Sequence, residues 1–143
     1  MSFALGADRQ TLHFARGDSF LGAELHEVSL PNGAARKIGQ QVRRVVGHRD
    51  GDVIVESNVR FGTHAAIRST NGVRTPVQTP VGHAMGVVGG SLLLFAHRDR
   101  GQSPKLLLVT RSGDVVNVAS HGDPATTEVI ASANHAFITN DGG

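Results

Sequence analysis

Two copies of one tripeptide are the sharpest candidates for chemistry in this chain, His48-Arg49-Asp50 and His97-Arg98-Asp99. Each sets an imidazole, a guanidinium and a carboxylate side by side, a combination suited to binding a polar or charged partner. The first falls in a hairpin loop and the second just after a strand, so the two do not occupy equivalent places in the pattern described below. We take His48, Arg49, Asp50, Arg98 and Asp99 as loop binding candidates and assign no catalytic residue. Eight histidines are spread through the chain, but no pair has the close spacing of a zinc motif and no HExxH or EF-hand loop occurs, so no metal or cofactor is expected. Four Glu and eight Asp form no paired-carboxylate cluster in sequence, and no GxSxG elbow offers an activated serine. Arg16-Gly17-Asp18 matches an adhesion tripeptide, yet in so arginine- and glycine-rich a chain chance accounts for it. The chemistry points to contact rather than catalysis.

What must position these residues is a repeat. An aliphatic residue is followed seven positions later by another apolar one at Leu5/Leu12, Val46/Val53, Val87/Leu94 and Ile130/Phe137, at steps of 41, 41 and 43 residues. Between them, apolar residues flank a glycine five positions on either side: Val28, Gly33 and Ile38, then Ile67, Gly72 and Val77, then Leu108, Gly113 and Val118. Glycine preceded by Asn or Ser tolerates the positive φ of a type I′ turn, so each of these centres reads as a hairpin, with the flanking residues as cross-strand partners. The first family reads as a second hairpin, broken by Gly, Asp and Asn. Runs such as Leu92-Leu93-Leu94-Phe95 suit strands covered on both faces. No segment keeps a 3.6-residue period, and little helix is expected.

The pattern predicts an all-β chain of about three and a half four-stranded antiparallel repeats of roughly 41 residues. As one repeat domain over 1–143, its units fall at about 2–40, 41–80 and 81–124, with a half-unit at 125–143. Leu92 to Asp99, followed by Lys105 to Thr110 and Arg111-Ser112-Gly113-Asp114, resembles a blade of a β-propeller: an apolar run, a short acidic loop, and a second apolar run ending in a turn. The resemblance is generic, without the Trp-Asp dipeptide or the paired glycines of named blade families. A β-trefoil is the alternative, although the fourth hairpin at Ile130 and Phe137 has no place in it. What the resemblance implies is a non-catalytic interaction or assembly module, which completes a ring by oligomerisation because three and a half blades do not close one. The other readings are a small-ligand or glycan-binding trefoil domain, or a piece of a propeller enzyme.

Bulk composition bounds the partners. Net charge is +2 and Trp and Tyr are absent, so nucleic acid is not an expected partner and sugar stacking has little support. No cysteine supplies a disulfide. With no apolar run of membrane-spanning length and no signal-peptide pattern at the start, we expect a protein without a membrane partner, cytoplasmic or of a compartment that the sequence leaves open. A homo-oligomer or a partner protein is the expected association.

Overall fold

Short apolar runs cut by turn residues leave each strand one ready way to pair its backbone groups, with the run next to it in sequence. That is the arrangement of the computed structural model, which describes residues 2–18, 21–58, 64–70, 73–77, 82–96, 105–119, 127–131 and 135–140. Among the described residues there are thirteen strands, and no helix is long and apolar enough to cross a membrane. The chain divides into two units, Met1–Val77 and Gln78–Gly143.

Unit one is a seven-stranded antiparallel meander in sequence order: β1 (Phe3–Leu5), β2 (Thr11–Arg16), β3 (Ala23–Ser29), β4 (Arg36–Arg49), β5 (Asp52–Asn58), β6 (His64–Thr70) and β7 (Val73–Pro76). The sheet curls, as twisted antiparallel strands do. β1 and β2 therefore meet β4 although β3 separates them in the sheet. Ser2 ties this closure at two points: its carbonyl accepts from the Ala15 amide and its Oγ from the Val45 amide, each at 2.9 Å. Leu25, Val42, Val45, Val53 and Val55 fill the concave side.

Unit two holds a four-stranded sheet of β8 (Gly82–Val88), β9 (Ser91–Ala96), β10 (Lys105–Val109) and β11 (Val115–Ala119), ordered β11-β10-β9-β8. A separate hairpin joins β12 (Thr127–Ala131) to β13 (Ala136–Asn140), and β12 lies near β8. Leu92, Leu93, Leu94 and Phe95 are all at most 2% exposed, so β9 is covered on both faces as its unbroken apolar run requires.

Hairpins stand at the expected apolar pairs, but their turns do not all take the expected form. Leu5 faces Leu12 and Ile130 faces Phe137 directly. In the other two hairpins of that family the loop tightens to two residues. Asp50 and Gly51, at φ of 53° and 81°, lie between the paired Arg49 and Asp52, and Gly89-Gly90 plays the same part between Val88 and Ser91. Positive φ at both central positions is the type I′ geometry, which these two hairpins take and Asn32-Gly33 does not. Bulges between Val45 and Gly47 and between Ala84 and Gly86 absorb the difference, and Val53 faces His48 while Leu94 faces Ala84.

The cross-strand partners expected around Gly33, Gly72 and Gly113 are likewise corrected. His26 faces Lys37 where Val28 was to face Ile38, Ile67 faces Pro76, and Leu108 faces Val116. Asn71 and Gly72 themselves lie outside the described residues. At Gly113, φ is 94° and the amide donates to the Thr110 carbonyl at 3.0 Å, a type I turn closed by a glycine bulge. Gly33 is needed for another reason. Its amide donates to the Ser29 carbonyl at 2.6 Å, and a Cβ there would run into the Ser29 backbone. Gly33→Ala is therefore expected to lower stability by about 1–3 kcal/mol, as overpacking does, read as a fall in the urea midpoint at unchanged m.

The expected junction of the first two repeats, at 40/41, falls inside the 14-residue β4. Residues 36–42 pair with β3 and residues 42–49 with β5. Near the handover the register with β3 shifts and Gln41 takes a φ of 58°. One bent strand thus ends one set of pairings and begins the next.

Candidate functional site

Antiparallel register sets three ionisable residues in a row across the concave face. His13 on β2 faces Glu27 on β3, and Glu27 faces Arg36 on β4. The curl then swings the far end of β4 over the start of that row and adds His48. His13 Nε2 lies 3.1 Å from one Glu27 oxygen, the Arg36 guanidinium donates to the other at 2.7 Å, and His13 Nδ1 lies 2.8 Å from His48 Nε2. His13 is only 6% exposed, so this chain of polar groups sits at the edge of the apolar core with its partners in place.

Charge follows from these contacts. The Arg36 hydrogen bond holds the Glu27 carboxyl below the usual range against the opposing effect of burial, and His13 adds to the effect. Burial pushes the His48 imidazole below the ordinary histidine value of 6.5, and the neighbouring charge of His13 pushes the same way, while Asp8 and the Leu5 carbonyl oppose. At 2.8 Å one of the two facing nitrogens, His13 Nδ1 or His48 Nε2, donates and the other accepts, so a single proton lies between the rings. In that arrangement His48 Nδ1 is buried without a hydrogen bond of good geometry.

A cavity of about 570 Å³ opens over these groups. Asp8 of the β1–β2 turn, Lys37 of β4, Asp50 of the β4–β5 turn and Asp52 of β5 line it together with the histidines. Asp8 is first committed to its own turn, where the Gln10 amide and then the Thr11 hydroxyl hold its carboxyl low. Lys37 donates to Glu24 at 2.6 Å. The ionic side chains of the lining are largely cross-linked, and Ala7, Ile38 and Val53 supply its apolar part. No cluster of three potential metal ligands occurs among the described residues.

Of the loop candidates, the structure brings His48 and Asp50 to this cavity and leaves Arg49 at the end of β4, in register with Asp52. Arg98 and Asp99 lie outside the described residues. Sequence reasoning missed His13, Glu27 and Arg36, treating the histidines as scattered. Register in the β2–β3 hairpin was the signal available for His13 and Glu27. The meeting of His13 with His48 depends on the curl and has no local signature.

A second feature lies at the margins of the sheets. Eight large apolar residues are exposed among the described ones, and six of them sit on strands at a sheet edge: Phe3 and Leu5 on β1, Val73 on β7, and Val115, Val116 and Val118 on β11. Edge strands are usually blunted by charge or proline, since their free backbone groups template further pairing. β11 carries no charged residue along its five positions.

No family model and no curated protein matches the chain. Among solved structures it is similar to the crystal structure of TolB from Acinetobacter baumannii, a β-propeller protein, with a TM-score of 0.73 at 13% identity. The match covers 100% of this chain and 38% of that one, so the chain spans well under half the length of its structural neighbour. The fold is all-β and propeller-like. At this identity the likeness carries fold alone.

Proposed function

We propose that the chain is a non-catalytic assembly module, whose bare strand edges pair with those of a second copy to extend a propeller-like arrangement. The observation that carries this reading is the concentration of exposed apolar side chains on the edge strands β1 and β11. An edge strand that is both unblunted and apolar gains twice on pairing, by satisfying backbone groups and by removing hydrocarbon from water. β11 is the foremost candidate, since Val115, Val116 and Val118 are each about half exposed and β10 is its one pairing partner among the described strands. Strand addition of this kind draws affinity from the main chain and specificity from alternate side chains.

Size-exclusion chromatography with light scattering tests the proposal. The wild-type chain is expected above single-chain mass at tens of micromolar, the range of modest interface affinities. Val116→Lys, which places a charge on the edge, is expected to return it to single-chain mass with an unchanged circular dichroism spectrum. A wild-type chain that runs as a monomer overturns the proposal, and an oligomer that survives Val116→Lys removes β11 from it.

A further inference from the structure

The contact between His13 and His48 joins two strands that the sheet itself does not pair, so it reports on the curl of unit one. We propose that His13 and His48 form a pH-operated latch, which holds the β1–β2 hairpin against β4 while one proton lies between the rings and releases it when both rings carry a proton on the facing nitrogens.

The geometry permits only the first state. At 2.8 Å, His13 Nδ1 and His48 Nε2 are donor and acceptor, and the space between them accommodates one hydrogen. The rings stand 4.9 Å apart between centroids and are tilted by 54°, so the contact is made edge to edge through nitrogen rather than by stacking. Two facing N–H groups at that distance clash, and two imidazolium charges repel. The hairpin and β4 must then part.

Every element around the pair bears on this balance. Glu27 on β3 meets His13 Nε2 with one carboxylate oxygen and accepts from Arg36 on β4 with the other. Asp8 in the β1–β2 turn favours charge on His48, as does the Leu5 carbonyl of β1. Lys37, Asp50 and Asp52 complete the ionic surroundings in the cavity wall. Burial and His13 outweigh the favourable groups at His48, whose folded-state pKa lies below 6.5. The unfolded chain therefore takes up this proton before the folded one does. The stability contributed by the latch is complete above pH 6.5 and is lost as pH falls from there through the lowered value. Glu27 and Glu24, lowered from 4.5, lose their contributions only below that pH, in a separate window.

The Val45 amide is the reporter, because it donates to Ser2 Oγ across the closure, and the Leu107 amide of β10 in unit two is the internal reference. Hydrogen-exchange protection factors are measured on the full chain from about pH 7.5 to about pH 5, the span in which histidine titrates. Val45 protection is expected to fall roughly tenfold per pH unit relative to Leu107 across the lower part of that range, as one-proton linkage dictates. His48→Gln, and independently His13→Gln, are expected to abolish the relative fall, since an amide does not titrate there. Wild-type protection that stays level relative to Leu107, or a fall that persists in both variants, overturns the latch.

Discussion

Arg44→Met is expected to destabilise the chain by about 3 kcal/mol, the lower end of the range for stripping one partner from a buried ion pair. Glu56 is 1% exposed, faces Arg44 directly across β4 and β5, and accepts from its guanidinium at 2.8 Å. A carboxylate this far from water needs charged donors to offset its desolvation, and Arg44 is the one in hydrogen-bond contact at 2.8 Å. Arg43, whose guanidinium stands 3.9 Å from the other Glu56 oxygen, remains in the variant and keeps the cost from rising further. The companion variant Arg44→Met/Glu56→Leu separates pairing from burial. It is expected to regain most of the lost stability, because removing both charges removes the desolvation cost together with the attraction. Urea unfolding read as a change in midpoint at constant m measures both, and a single variant that unfolds like wild type contradicts the burial argument.

Leu93→Ala and Leu94→Ala are expected to be equally damaging, each costing about 2–5 kcal/mol. Neighbours in a strand point to opposite faces, so the two deletions probe opposite sides of β9. Leu93, at 2% exposure, packs with Phe95 and Leu106, while Leu94 is 0% exposed on the other side. In a sheet with one wet face, one of the two substitutions would cost little. Comparable losses at both positions, measured by the same unfolding experiment, are the energetic signature of a sheet sandwiched between covers, as blades in a propeller-like fold are. A loss below about 1 kcal/mol at either position, the usual size of a surface change, contradicts that arrangement.

These outcomes rest on features that differ in how visible they are along the chain. The run Leu92 to Phe95 declares its two-sided burial by composition, and the turns at Asp50-Gly51 and Gly89-Gly90 declare themselves by residue type. Both Leu5 opposite Leu12 and Ile130 opposite Phe137 follow from counting outward from a turn. Counting fails where a bulge intervenes, since the extra residues near Arg43 and Val46 move every later partner in β4 and no side chain announces them. Gly33 was legible as a turn residue but for the wrong reason, because close approach to Ser29 and positive φ select the same amino acid. The polar cluster was the least visible part. His48 attracted notice through the neighbours it has in sequence, Arg49 and Asp50, whereas its hydrogen-bonded partner in space is His13, 35 positions away.

The unbroken passage of β4 through positions 40/41, where the sequence pattern set a boundary, bears on how this architecture can change over time. In arrays whose units are separate sheets, material can be gained or lost at the seams without disturbing what lies on either side. Here the seam is the middle of a rail shared by both neighbours. A single residue inserted at 40/41 would rotate the remainder of β4 by one face, carrying Val45 out of the apolar interior and His48 away from His13. The strands on either side of 40/41 are thus bound to a common fate, and an added residue would disturb the pairing least at the reversals near Asp8, Asp50 and Asn32.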